Sequence, residues 1–458
     1  MSKDQTDVKN KASDLLAPRP RNLLETGLSQ DFLCDLLAKH FYGGGVLNQQ
    51  QLVERTALAW PVLENLLNFM RLSGYIEVRS PQENSTLLRY ALTERGRILA
   101  LDAQLKSGYT GYAPVPLSLY AQVVQAQSFH RQVVTQQDMA RVFKDVVIRK
   151  TVLAQLGPAM HSGRPLFVYG PPGTGKTFIG MQLLGLQTDS VLVPYALAVG
   201  DYVVQFFDPA IHHPLVSAKE TDSFMLETGH DPRFVRCQRP SVITGGELTL
   251  DMLELAYDTT TKQYFAPLQL KANNGIYIID DLGRQRVEST DLLNRWIVPL
   301  EQKLDYLTVG NGTRFAVPFD VVLIFSTNIN PLALADEAFL RRLGYKIRFE
   351  TLTPAEYEAI WRQVCEKQGL EFDAEAFRFM LSLYQRENKP LLPCQPRDLL
   401  GLVIDQCRYE GAVNQVTVER LERAWASYFV RPDMATTGFL EAPLQSDSES
   451  QPAFNPFI

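Results

Sequence analysis

The stretch Gly170-Pro-Pro-Gly-Thr-Gly-Lys-Thr177 constrains this chain more than any other part of it. It follows directly on the apolar run Leu166-Phe-Val-Tyr169 and opens Thr177-Phe-Ile-Gly-Met-Gln-Leu-Leu184, which has helical spacing. A glycine-rich loop between a strand and a helix is suited to holding phosphate. Glycines let the backbone N–H groups curl around an anion where a Cβ would block the path. The helix N-terminus adds partial positive charge. Lys176 supplies a point charge for the phosphates, and the Thr177 hydroxyl is placed to ligand Mg²⁺. Gly170, Pro171, Pro172, Gly173, Thr174, Gly175, Lys176 and Thr177 are therefore the candidate phosphate-binding residues for a nucleoside triphosphate.

The remaining chain must build a sheet around that loop, and 458 residues allow two or three domains. Hydrophobic residues make up 45% and charged ones 21%, within the ordinary range of globular proteins. A net charge of −6 argues against a chain that coats nucleic acid as a whole. Cys34, Cys237, Cys365, Cys394 and Cys407 lie far apart with no Cys-x-x-Cys pair, as expected of reduced thiols with no zinc framework. No apolar run approaches the length of a membrane span, and the polar N-terminus lacks a secretory h-region. The expectation is a cytoplasmic protein.

Six segments follow from the patterning. Residues 1–28 are polar with a Pro-rich piece and read as a flexible leader. Residues 29–107 read as helix, helix, helix, hairpin: Asp31–Phe41, a helix after Asn48, Pro61–Leu72, then Tyr75–Val78 and Leu88–Leu92 around Ser80–Asn84. That is the order of a winged helix. Residues 108–129 break periodicity and read as a linker. Across 130–350, Leu166–Tyr169, Val191–Val193, Ile276–Ile279, Val321–Phe325 and Lys346–Phe349 alternate with helical stretches, implying a parallel sheet covered on both faces. Residues 351–430 are helical throughout, opening on the capping box Thr353-Pro-Ala-Glu356. The tail 431–458 has one base against four acids and reads as disordered.

Gly275-Ile-Tyr-Ile-Ile-Asp280-Asp281 is an apolar strand ending in two acids. Asp280 is placed to hold Mg²⁺ and Asp281 to orient an attacking water. Val321-Val-Leu-Ile-Phe-Ser-Thr-Asn328 is a second such strand ending in polar residues. Here the chain resembles the AAA+ ATPases over about residues 130–430. The resemblance implies a P-loop α/β domain with a C-terminal helical lid, hydrolysis of ATP with Mg²⁺, and assembly as a homo-oligomer in the form of a hexameric ring. It implies that Asn328 is the sensor that helps hold the water. Asp336-Glu-Ala-Phe-Leu-Arg-Arg-Leu343 is similar to the segment carrying the arginine finger, with Arg342 the first choice and Arg341 the alternative. Gln395-Pro-Arg-Asp-Leu399 is similar to the second sensor, which makes Arg397 the residue contacting the γ-phosphate in cis. In that family Asp281 is more often Glu.

Leu307–Val317, with Gly310-Asn-Gly312 at its centre, reads as a hairpin inserted just before Asn328. It resembles the branch holding MoxR-type chaperones, magnesium chelatase, RuvB and Lon. The acidic strand Ile-Ile-Asp280-Asp281-Leu-Gly instead resembles replication initiators and helicase loaders. The hairpin, a whole inserted element, weighs more and makes a MoxR-like protein-remodelling ATPase the leading expectation. The stretch 186–272 is longer than a minimal core of the family. Within it Phe206 or Phe207 is a candidate substrate contact, although such a pair is more often core. The spacing of His212, His213, His230 and Cys237 matches no metal-ligand pattern.

Between Asp31 and Lys106 eight acids balance eight bases, and Pro61–Leu72 carries only Glu64 and Arg71. A neutral reading helix is poorly suited to DNA, whose affinity comes mainly from neutralised phosphates. The N-terminal segment is therefore expected to dock a protein client or adaptor. A DNA-linked ATPase is the alternative, and a non-hydrolysing nucleotide-gated scaffold a third reading.

Overall fold

The computed structural model describes residues 16–80, 87–131, 133–215 and 230–429. The first fifteen residues of the expected leader, most of the turn within Ser80–Asn84 and the tail 431–458 lie outside the described residues. The chain divides into two compact units, Met1–Glu350 and Thr351–Ile458.

The first unit is built on a five-stranded, all-parallel sheet: β1 (Leu166–Tyr169), β2 (Ser241–Thr244), β3 (Ile276–Ile279), β4 (Val322–Thr327) and β5 (Tyr345–Arg348). The strand order is β2-β3-β4-β1-β5, with Ile276 opposite Val322, Ile324 opposite Leu166, and Leu166 opposite Tyr345. Every residue of β3 and β4 is buried, which explains why both read as unbroken apolar runs. Alternate residues serve different faces. Phe167, Tyr277, Ile279, Leu323 and Phe325 pack with the buried Trp296. Leu166, Val168, Ile276, Ile278, Val322 and Ile324 pack with Leu156, Met160, Ile179 and Leu183, from the helices Lys150–Ser162 and Lys176–Leu183.

One expected strand belongs elsewhere. Val191–Val193 lies in Ser190–Pro194, which pairs antiparallel with Phe234–Gln238 outside the parallel sheet. Its place at the sheet edge is taken by β2, which pairs with β3. The sequence Ser-Val-Ile-Thr is short and Ile243 is 41% exposed, so β2 lacks the continuous apolar signal that marks a central strand.

The stretch 186–272 contributes most of a second five-stranded sheet, ordered Ala256–Asp258, Gln263–Phe265, Tyr202–Gln205, Ala196–Val199 and Val115–Pro116. The last of these comes from the segment expected to be a linker. So does the helix Leu117–Ala126, whose Tyr120, Val123 and Val124 are buried. The Gly- and Pro-rich residues 108–116 interrupt the pattern, but the apolar positions after them recur at helical spacing. The hairpin also packs here. It spans Leu304–Thr308 and Arg314–Pro318, paired from Leu304 opposite Pro318 to Thr308 opposite Arg314. Leu307, Val309 and Val317 are buried in one core with Val204 and Tyr264, and the Gly310 N–H donates to the Tyr264 hydroxyl at 2.9 Å.

Upstream, the helices Gln30–Gly44, Gln49–Thr56 and Trp60–Leu72 are followed by the strands Ile76–Arg79 and Arg89–Leu92 and the helix Glu94–Lys106. Leu47–Asn48 adds a third, antiparallel strand beside Arg89–Leu92. Met70 is fully buried and Phe69 exposed. The described part of the expected leader is anchored. Ala17 is buried, and its carbonyl accepts from the Asp231 N–H at 2.7 Å. Arg233 and Asp231 form a completely buried ion pair at 2.8 Å. The same guanidinium donates to the carbonyls of Thr26 at 2.9 Å and Pro114 at 3.2 Å, joining three distant segments.

In the second unit the described residues form the helices Pro354–Gln368, Ala374–Arg386, Gln395–Glu410 and Val418–Tyr428. Thr353 and Glu356 make the reciprocal capping box. Trp361, Phe377, Leu399 and Trp425 centre the core, and the Tyr357 and Tyr384 hydroxyls meet at 2.9 Å.

Candidate active site

Three neighbouring strands end at one place. β1 leads into Gly170–Thr177, β3 into Asp280–Asp281, and β4, which lies between them, into Asn328. Such an edge, beyond the carboxyl ends of parallel strands, is where ligands of open α/β sheets bind. The loop conformation needs its glycines: Gly170, Gly173 and Gly175 have φ of 145°, 78° and 85°. A Cβ on Gly170 would stand 2.1 Å from the Phe349 carbonyl oxygen. The Thr174 hydroxyl donates to the Pro171 carbonyl at 2.8 Å and stiffens the loop.

Lys176 is 7% exposed. Its Nζ donates to the carbonyls of Gly170 and Pro171, each at 2.9 Å, and to Oδ1 of Asn328 at 2.6 Å. Burial lowers its pKa, opposed by the nearby Asp280 and Asp281 carboxylates. The Thr177 hydroxyl donates to Oδ2 of Asp280 at 2.6 Å. Asn328 Nδ2 donates to Oδ1 of Asp281 at 3.1 Å. Lys176, Thr177, Asp280, Asp281 and Asn328 thus form one connected group.

The donor set fits Mg²⁺. The Thr177 hydroxyl and the Asp280 carboxylate are two hard oxygen ligands already in contact. Mg²⁺ bound beside a nucleotide uses one or two such protein groups and completes its shell with phosphate and water. Among the described residues no group of three or more His, Cys, Asp or Glu side chains is arranged to hold a metal on its own.

Arg341 and Arg342 pair with acids outside this group. Arg341 and Arg342 end the helix Glu337–Arg342, which Asp336 caps. Arg341 pairs with Glu337 at 2.9 Å in solvent, while Arg342 pairs with Glu301 at 2.6 Å. Arg397 belongs to the second unit, exposed beside Asp398 at 3.1 Å.

Two further candidates are core residues. Phe206 is buried and Phe207 half-buried, and both rings stack on His212, with centroids 5.6 and 5.7 Å away. That packing makes Phe206 a core residue, while Phe207 packs against the core with part of its ring exposed. His212 is fully buried. Its Nδ1 accepts from the Asp208 N–H at 2.9 Å, and its Nε2 faces the Lys271 carbonyl at 3.0 Å. A carbonyl only accepts, so Nε2 carries the proton and the ring is neutral.

Burial pushes the His212 pKa down from 6.5 to about 4. The unfolded chain therefore takes up this proton first as pH falls. Stability from this group is complete above about 6.5 and is lost toward about 4, a change of about 3 kcal/mol. Urea unfolding of His212→Gln should show a correspondingly flatter pH dependence than the unmodified chain. Equal slopes would contradict the assignment of a buried neutral ring.

Sequence reading missed two groups at this edge. The Thr244 carbonyl at the end of β2 accepts from the Asp280 N–H at 2.7 Å. Gln285 hydrogen-bonds the turn on both sides of Asp281, donating to the Asp280 carbonyl and accepting from the Gly283 N–H. Neither lies in a periodic or glycine-rich pattern; only the sheet order brings β2 beside β3.

A family model described as a domain of unknown function (DUF8689) matches residues 353–427. No curated protein matches the chain. Among solved structures, NtrX from Brucella abortus is similar at 14% identity and a TM-score of 0.36, covering 70% of this chain and 59% of that one. This chain therefore spans less than two thirds of the NtrX chain. The RuvB Holliday junction branch migration motor of Thermotoga maritima is similar at 14% identity and a TM-score of 0.34, covering 65% of this chain and 72% of that one. A mutant of the same RuvB shows 12% identity and a TM-score of 0.35, with 65% and 71% covered.

Proposed function

We propose that this chain is an AAA+ ATPase that hydrolyses ATP with Mg²⁺ and uses the cycle to remodel a protein partner. The observation that carries the reading is the connected group Thr177–Asp280 and Lys176–Asn328–Asp281, assembled from the ends of three adjacent strands. In this reading Gly170–Thr177 wraps the triphosphate through backbone N–H groups, and Lys176 balances its charge. Thr177 and Asp280 hold Mg²⁺, which when bound neutralises charge on the phosphate oxygens. Asp281 accepts a hydrogen bond from the water that attacks the γ-phosphorus, and Asn328 orients both. Arg397 contacts the γ-phosphate in cis.

Arg342, with Arg341 as the alternative, is the residue that reaches a neighbouring subunit's nucleotide. A site completed by a neighbour requires an oligomer, here a hexamer. The hairpin Leu304–Pro318 before β4 supports a MoxR-like branch, and residues 29–107 serve as a winged-helix-like docking module for a client or adaptor. Among the described residues no helix is long and apolar enough to cross a membrane.

The test is Mg²⁺-dependent ATP turnover measured against protein concentration. Specific activity should rise with concentration. Arg342→Ala should lose turnover while keeping nucleotide affinity, and Asp281→Asn should do the same. Mixing the two should restore part of the activity, because an intact Arg342 then faces an intact Asp281. No recovery in mixtures shown to co-assemble would remove Arg342 from the trans role. Full activity of a dilute monomer would remove the ring.

A further inference from the structure

Gln285 lies four residues beyond Asp281, in the turn between β3 and the helix Ser289–Arg295. Its Oε1 accepts from the Gly283 N–H at 2.8 Å. Its Nε2 faces three carbonyls: Gly245 at 3.1 Å, Asp280 at 3.2 Å and, more weakly, Asp281 at 3.4 Å. The amide can point only one way, since turning it over would set its oxygen against three carbonyl oxygens. Gly245 directly follows β2 and Asp280 directly follows β3, so a single side chain ties the ends of two core strands together.

The residue held at the centre of this turn is in an unfavourable conformation. Asp281 has φ of 47°, in the left-handed region that a residue with a Cβ enters at a cost. A backbone of that kind persists when its surroundings over-determine it. Asn328 restrains the Asp281 carboxylate from one side at 3.1 Å. The backbone that aims it is bracketed by Gln285, through the Asp280 carbonyl before it, its own carbonyl and the Gly283 N–H after it. The Asp280 carboxylate is held separately by the Thr177 hydroxyl at 2.6 Å, so loosening the turn bears chiefly on Asp281.

We propose that Gln285 is a positioning residue for ATP hydrolysis: its amide holds the Asp280–Gly283 turn so that the Asp281 carboxylate faces the attacking water. This rests on the ATPase reading above. Gln285 touches neither nucleotide nor water in this scheme, and it acts through Asp281.

The experiment uses the full-length chain and three measurements: turnover at saturating ATP, affinity for a fluorescent ATP analogue, and thermal midpoint. In Gln285→Ala, kcat should fall about tenfold to a hundredfold, as for a small displacement of a reacting group, with nucleotide affinity and midpoint retained. Gln285→Glu keeps the size of the side chain, but a carboxylate cannot donate to the three carbonyls. It should lose turnover while nucleotide affinity and thermal midpoint are retained. If Gln285→Ala does not fold, that split between turnover and affinity in Gln285→Glu decides the matter, since mere space-filling predicts no loss from a side chain of the same size. Normal kcat in a folded Gln285→Ala or Gln285→Glu overturns this inference alone. An unmodified chain that binds ATP but turns none over overturns it together with the function on which it rests.

Discussion

Lys176→Ala should lower ATP affinity by about a hundredfold or more, since hydrogen bonds to charged groups are each worth about 1.5–3 kcal/mol and every 1.4 kcal/mol is about tenfold. The lysine is nearly buried at the mouth of the glycine loop. Its three hydrogen bonds go to Gly170, Pro171 and Asn328, so the charge stands where the loop would hold phosphate. Burial lowers its pKa, but the adjacent carboxylates oppose the shift. Triphosphate oxygens would further favour the charged form. Truncation therefore removes a positive charge that no neighbour replaces. Turnover should become undetectable for the same reason. Isothermal titration or a fluorescent ATP analogue measures the affinity, and a thermal melt separates lost binding from lost folding. A folded variant with affinity within a few-fold of the unmodified chain would remove Gly170–Thr177 as the triphosphate loop.

Asp231→Ala should destabilise the first unit by about 3–5 kcal/mol, the usual consequence of leaving one member of a buried ion pair without its partner. Both side chains are wholly excluded from solvent. Asp231 accepts from the Arg233 Nε and from its terminal nitrogen Nη2, while Nη1 reaches the carbonyls of Thr26 and Pro114. Without the carboxylate the guanidinium keeps only the two carbonyls in a site closed to water. Replacing both residues by apolar ones of similar size, Asp231→Leu with Arg233→Met, should recover much of the loss, because no charge is then buried. Urea denaturation followed at fixed pH gives the comparison. A single-variant loss below about 1 kcal/mol, the range of exposed pairs, would mean that the pair is hydrated in solution.

How much of this could be read from the sequence depended on contiguity. The Leu166–Thr177, Gly275–Asp281 and Val321–Asn328 segments each carry an apolar strand and its functional end within about a dozen residues, so strand type and candidate chemistry appear together. The capping box at Thr353–Glu356 is equally local. The hairpin was legible from its Gly-Asn-Gly turn, although it runs from Leu304 to Pro318 and so extends beyond Leu307–Val317 at both ends, with Gly312 at φ of 83°. The edge strand β2 was not, because Ser241–Thr244 is short, polar at both ends and half-exposed. Val191–Val193 carries a stronger apolar signal, yet it is buried in the other core. Periodicity reports burial and not which sheet does the burying.

Ion pairs and amide networks across long sequence separations left no local trace at all. Arg233 finds its carbonyls more than a hundred residues upstream, and nothing in residues 16–28 or 108–129 marks them as anchored. Gln285 has no pattern that separates it from a solvent-facing turn residue until β2 is seen beside β3. Local chemistry therefore specified the glycine-rich loop, the two acids and the polar end of β4, since each depends on neighbours in the chain. The order β2-β3-β4-β1-β5, the docking of the hairpin on a second sheet and the bracing of Asp281 came from tertiary packing alone. Those arrangements depend on which apolar faces bury one another, and residues far apart in sequence decide that jointly.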